Sequence, residues 1–183
     1  MSAGDLIATP SQTVGPFFHF GLTTPFGRGP GAAADTSIRL IVRVLDGDGA
    51  PIDDAVVEYW QPGATRAPKS ADGSAEPASE CGRAATGADG SCEIVISPPQ
   101  GVAGTPPQAA HLNLCLFARG LLRQVYTRVY FAGDPALGSD PALALVPPDR
   151  RQTLIARPDD GQPGRWSFDL HLQGPRETVF FDR

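Results

Sequence analysis

The chain has 183 residues, a formal charge of −5, 21 glycines and 19 prolines. That length suits one domain, which removes about 70% of the unfolded chain's surface from water. A glycine and proline share above one fifth argues against a helical protein, since both residues interrupt helices and serve turns, and without a basic surplus neither nucleic acid nor an anionic membrane is an expected partner.

Residues 1–7 hold neither a basic run nor a long apolar stretch, so no secretory signal is expected. No segment reaches the roughly 18 apolar residues of a membrane-spanning helix. Cys81, Cys92 and Cys115 are odd in number and lack CxxC spacing. They read as free thiols of a cytoplasmic protein, Cys115 serving as packing.

Residues 9–20 predict an extended arm. Pro10, Gly15 and Pro16 rule out a regular helix or a central strand, while Phe17, Phe18 and Phe20 would expose a large apolar area unless the arm docks onto something. Residues 28–35, rich in Gly, Pro and Ala, link it onward. The predicted division is therefore an arm and linker over residues 1–36 and a domain over 37–183.

Ile38, Leu40, Val42 and Val44 alternate with Arg39, Ile41, Arg43 and Leu45, which predicts a strand ending at the turn Asp46-Gly47-Asp48-Gly49. Residues 55–61 predict a second strand, paired with the first as a hairpin. Residues 62–90 are aperiodic apart from a short strand candidate at 81–86, and so long a loop in a compact domain is disordered or functional. Residues 91–97 form the next strand.

The stretch over residues 109–120 places Leu112, Leu114, Leu116 and Ala118 on one strand face, which is core. His111, Asn113, Cys115, Phe117 and Arg119 share the other face, too polar and varied for a core. Residues 124–131 alternate again and predict its hairpin partner. Helical pieces are confined to residues 141–145 and 149–153, too short to stand without tertiary support. A last strand over 165–172 turns Trp166, Phe168, Leu170 and Leu172 inward and Ser167, Asp169 and His171 outward, and residues 178–181 close the chain. The fold class is all-β, a β-sandwich of about seven strands with irregular loops, an extended N-terminal arm and little helix.

Chemistry is sparse. His19, His111 and His171 are the only histidines, and His111-Leu112-Asn113 lacks the second imidazole of a His-x-His pair. A neutral amide is a poor ligand for a ferric ion, so His111 reads as a hydrogen-bonded histidine. Neither a Gly-x-Ser-x-Gly elbow nor a cysteine–histidine motif is present. Gly27-Arg28-Gly29-Pro30-Gly31 follows no strand and opens no helix, so it is not a phosphate loop.

Four stretches carry a resemblance. They are Thr9-Pro10-Ser11-Gln12-Thr13-Val14-Gly15-Pro16-Phe17, Val57-Glu58-Tyr59-Trp60-Gln61, the strand Ala110-His111-Leu112-Asn113-Leu114-Cys115-Leu116-Phe117-Ala118-Arg119-Gly120, and Glu177-Thr178-Val179-Phe180-Phe181-Asp182. In this order they resemble the alpha subunits of the intradiol ring-cleavage dioxygenases. The resemblance implies a noncatalytic alpha subunit, a sandwich of the intradiol type, that completes the active site of a homologous beta subunit. There, non-haem Fe(III) activates protocatechuate for attack by O₂, giving 3-carboxy-cis,cis-muconate. The beta subunit holds the iron by two tyrosines and by two histidines arranged as His-x-His.

By the same resemblance, His111 and Asn113 are vestigial metal-site positions, and the ligand tyrosines are missing from residues 62–68 and 98–102. No metal is then expected on this chain, which is expected to assemble with the catalytic chain in a higher-order hetero-oligomer. Thr13, Gly15 and Pro16 would line the substrate cavity, where glycine allows close approach and proline fixes the arm's direction. Arg119 would offer its guanidinium to the substrate carboxylate. The register of residues 62–80 is open. The competing readings are a self-sufficient dioxygenase with atypical ligands and a β-sandwich binding module without redox chemistry.

Overall fold

The computed structural model describes residues 9–23, 37–62 and 80–182. The N-terminal segment 1–7, the linker over 28–35 and the register of the loop over 62–80 lie outside the described residues, apart from the loop's two ends. The strands are β1 (Ile38–Leu45), β2 (Val56–Gln61), β3 (Glu80–Ala85), β4 (Ser91–Ile96), β5 (His111–Phe117), β6 (Val125–Phe131), β7 (Ile155–Pro158) and β8 (Arg165–His171).

Their pairing order is β3-β2-β5-β6-β7-β8-β1-β4. Short β7 joins two leaves of the sandwich, running parallel to β6 at Tyr130↔Ile155 and antiparallel to β8 at Arg157↔Ser167. One core fills the space between the leaves: Leu40, Val42, Val44, Ile94, Ile96, Phe168 and Leu170 from one meet Val57, Tyr59, Leu112, Leu114, Leu116 and Val129 from the other. Alternation along each strand is what delivers these side chains to one face. The all-β sandwich with little helix is borne out.

The predicted hairpin of the first two strands is not. β1 pairs antiparallel with β4 and parallel with β8, while β2 pairs with β3 and β5 in the other leaf. After the Asp46–Gly49 turn the chain makes only the single bridge Leu45↔Pro51, closed by Asp46 N–H to the Ala50 carbonyl at 2.9 Å and Ile52 N–H to the Val44 carbonyl at 3.0 Å, and then leaves β1. The place beside β1 is taken by β4, whose entry turn needs Gly90: its φ is +73°, and a Cβ there would stand 2.7 Å from the carbonyl oxygen of Val44.

A second correction concerns the varied face of β5. His111 and Cys115 are 1% and 2% exposed, because the chain itself covers them. The 3-10 turn Pro135–Ser139, a short helix (Pro141–Ala144) and the 3-10 turn Arg151–Leu154 fold over this face. They build a smaller core of Ala109, Tyr130, Leu143, Val146 and Leu154, against which Val179 and Phe181 pack. The predicted helical pieces are these short elements.

His171 also departs from its predicted outward position and is buried. The chain end brackets it: its backbone N–H donates to the Thr178 hydroxyl at 3.0 Å, and Thr178 returns its own N–H to the His171 carbonyl at 2.9 Å. In the arm, a six-residue helix forms over Phe18–Thr23 where none was expected. Pro16 lies just ahead of it, where a missing N–H costs nothing. Cys81, Cys92 and Cys115 are in no disulfide among the described residues, and burial pushes the Cys92 thiol up to about 12.

Candidate functional site

Two neighbourhoods hold the predicted site residues. In the first, the arm meets the turn after β5. The backbone N–H of Gly120, a residue at φ +90°, donates to the Thr13 hydroxyl at 2.8 Å across 107 positions of sequence. Beside it, Nε of Arg119 donates to Asp54 Oδ2 in an ion pair. Asp54 is 16% exposed and Arg119 55%, so the carboxylate anchors a guanidinium whose far side meets solvent. The structure therefore brings Thr13 and Arg119 together. Gly15 and Pro16 follow on the exposed arm, and nothing lies within 4 Å of a Cβ placed on Gly15. The arm ends in a stacked pair, Phe17 and Phe20, with ring centroids 6.1 Å apart and exposures of 74% and 61%.

The second neighbourhood is the start of β5. His111 Nδ1 donates to the Ala109 carbonyl at 2.8 Å, and its ring centroid lies 5.8 Å from that of Tyr130. Burial holds the imidazole below its ordinary value of 6.5, and the charge of Arg128 acts the same way. It is a neutral packing group.

Asp140 organises the surroundings. Its Oδ1 accepts from the Tyr130 hydroxyl at 2.9 Å and from the N–H groups of Ala142 and Leu143 at 3.0 and 2.8 Å, while Oδ2 accepts from Ala109 N–H at 2.9 Å. Burial works to raise its pKa, yet these bonds together hold the carboxyl below the ordinary 3.8. Asp134 repeats the device, accepting from Ala110 and Ala136 N–H groups at 2.9 and 2.8 Å. Two Asp-Pro caps thus tie the covering segment to the residues leading into β5. Sequence reasoning missed both, although Asp followed by Pro at a helix start is a known N-cap signal. It also missed Asp54, which has no local signal because its partner lies 65 positions away.

Asn113 sits directly opposite Arg128 in the β5–β6 ladder. Both line a cleft of about 220 Å³ with Trp60, Tyr126, Phe181 and Asp182, and Arg128 donates to Gln108 Oε1 at 3.0 Å. These residues do not fit a ferric centre. The donor set is one imidazole tied to a carbonyl and one neutral amide, and a guanidinium charge faces that amide across the ladder. Among the described residues, no group of three His, Cys, Asp or Glu side chains is placed to hold a metal ion. His171 belongs to β8 in the opposite leaf, and the side chain of His19 lies outside the described residues.

A family model described as Dioxygenase matches residues 24–174. The chain belongs to this family, the intradiol dioxygenases, which are generally iron-dependent, and the fold described above agrees with it. Within the family it is 40% identical to the protocatechuate 3,4-dioxygenase alpha chain of Burkholderia cepacia, over 95% of this chain and 96% of that one. It is also 32% identical to the beta chain of the same enzyme and organism, over 76% of this chain and 66% of that one. A solved hydroxyquinol 1,2-dioxygenase from Pseudomonas putida DLL-E4 shares the fold, with a TM-score of 0.60 and 22% identity over 92% of this chain and 68% of that chain. The resemblance drawn from the four stretches is borne out. Among the described residues no helix is long and apolar enough to cross a membrane.

Proposed function

We propose that this chain is the noncatalytic alpha subunit of a cytoplasmic protocatechuate 3,4-dioxygenase, assembled in a higher-order hetero-oligomer with a homologous beta chain that holds Fe(III). The observation that supports this reading is Asn113 facing Arg128 across the ladder, an amide beside a cation at what the resemblance makes a vestigial metal-site position. The 40% identity to an alpha chain over 95% of this chain supports it.

Bound in the partner, the iron supplies the activation of protocatechuate toward O₂. This chain's own residues bind and orient. Residues 1–36 serve as arm and linker and residues 37–183 as the sandwich. The Thr13–Gly120 hydrogen bond pins the arm beside Arg119, so that Thr13, Gly15 and Pro16 form a wall of the shared cavity. With Nε engaged by Asp54, the two Nη groups of Arg119 can meet the substrate carboxylate as a bidentate pair.

Expression of the chain with and without a beta chain tests the reading. Iron and ring-cleaving activity are expected in the complex and neither in this chain alone. About one tightly bound iron per isolated chain would overturn it.

A further inference from the structure

A second cleft, of about 300 Å³, opens where the 3-10 turn Arg151–Leu154, β7 and β8 meet the segment after β8. Its lining includes Gln152, Arg157, Ser167, Asp169, His171 and Arg176. No residue assigned above to the substrate cavity or to the His111 neighbourhood is among them.

Charge in this cleft is unbalanced. Arg39, Arg43, Arg83, Arg119 and Arg165 each have a carboxylate partner, whereas neither Arg157 nor Arg176 is ion-paired among the described residues. Both are exposed. Asp169 does not neutralise them, because Arg43 already takes both of its oxygens at 3.0 and 2.9 Å. Two guanidinium groups therefore face one small space without counter-charge.

The second observation is His171. Its side chain lines the cleft although the residue is only 6% exposed, and its ring has no hydrogen-bond partner among the described residues. Its ring nitrogens are not among the buried side-chain atoms left without a partner, so they meet the water of the cleft. A ligand seated between the arginines would take the place of that water on the imidazole, with Ser167 and Gln152 as further polar contacts. The volume lies at the lower end for small-molecule clefts, and the lining is polar and cationic.

We propose that this cleft binds a small organic anion carrying two negative charges, held between Arg157 and Arg176 with the His171 imidazole as its hydrogen-bond partner. Carboxylates and phosphates share this chemistry, since both accept paired guanidinium N–H groups.

Titration calorimetry and histidine ring NMR on the full chain test the site, with succinate, glycerol 3-phosphate and inorganic phosphate as separate probes. Saturable binding of at least one probe, with one site per chain and movement of the His171 ring signals, is expected. Success of succinate alone assigns a dicarboxylate, and success of the phosphates alone assigns a phosphate. The double variant Arg157→Ala/Arg176→Ala should bind at least tenfold more weakly, with an unchanged thermal midpoint because both side chains are exposed. The variant His171→Gln should lose affinity as well; if it does not fold, the arginine variant still decides. Absence of saturable binding for all three probes, or binding that survives loss of both arginines, would overturn the proposal.

Discussion

Arg128 faces Asn113 across the β5–β6 ladder. A guanidinium keeps its charge at every pH the fold tolerates, so this neighbourhood carries a permanent positive charge beside the amide.

The consequence is that ligand chemistry alone will not restore a metal site. Asn113→His recreates the His-x-His pattern, yet with Arg128 in place the purified variant is expected to hold no stoichiometric iron. Elemental analysis finding close to one iron per chain would show that the guanidinium is no barrier.

Arg119 is expected to act on the substrate carboxylate in the assembled enzyme. Losing a charge-assisted pair closed off from water costs ~2 kcal/mol or more, which is about a thirtyfold drop in kcat/KM. Arg119→Ala should show this drop for protocatechuate and much less for catechol, which has no carboxylate, while iron content stays constant. Equal losses for both substrates would assign Arg119 to structure, through its pair with Asp54.

Thr13 ties the arm down by one hydroxyl, and a neutral hydrogen bond contributes ~1 kcal/mol. In Thr13→Val the Gly120 amide should exchange its hydrogen faster and KM should rise, while the thermal midpoint hardly moves because the arm is outside the core. Unchanged protection at Gly120 would mean that other contacts hold the arm.

Stability should fall on acidification in two windows. His111 and His171 have folded-state values below 6.5. Between that ordinary value and their own, the unfolded chain binds more protons and stability drops as pH falls. Asp140 acts later: its stabilising contribution is complete above the ordinary 3.8 and is lost as pH falls through its depressed folded value. Asp140→Asn should cost ~2 kcal/mol at pH 7, with the gap to the parent narrowing at pH 3. Urea unfolding at pH 7, 5 and 3 measures both effects, and a constant gap would place the role of Asp140 outside its charge.

Alternation along residues 38–45 and 112–118 made the strands and their core faces legible, because burial between two leaves demands a period of two. Pairing was not legible in the same way. Nothing local to β1 announces that its neighbours come from residues 91–96 and 165–171, and a tight turn after it suggested a hairpin that goes no further than the bridge Leu45↔Pro51. His111 and Cys115 looked exposed because their cover arrives from residues 134–155 and from the chain end. Of the site, Thr13 and Arg119 were found through resemblance, and the structure joins them. Asp54 and Asp140 escaped because each works through a partner that sequence spacing does not bring near.

The parallel alignment of β1 with β8 sets an order of events during synthesis. Arg43 meets Asp169 across 126 positions, so the leaf containing β1 stays open at one edge until β8 has cleared the ribosome. Pairings of such high sequence separation form slowly. The exposed edge of β1 meanwhile offers unpaired N–H and C=O groups to any strand that comes near. Losses during production of this chain should therefore arise before β8 is free to pair, and a chain cut ahead of residue 165, where β8 begins, should aggregate more than the full chain.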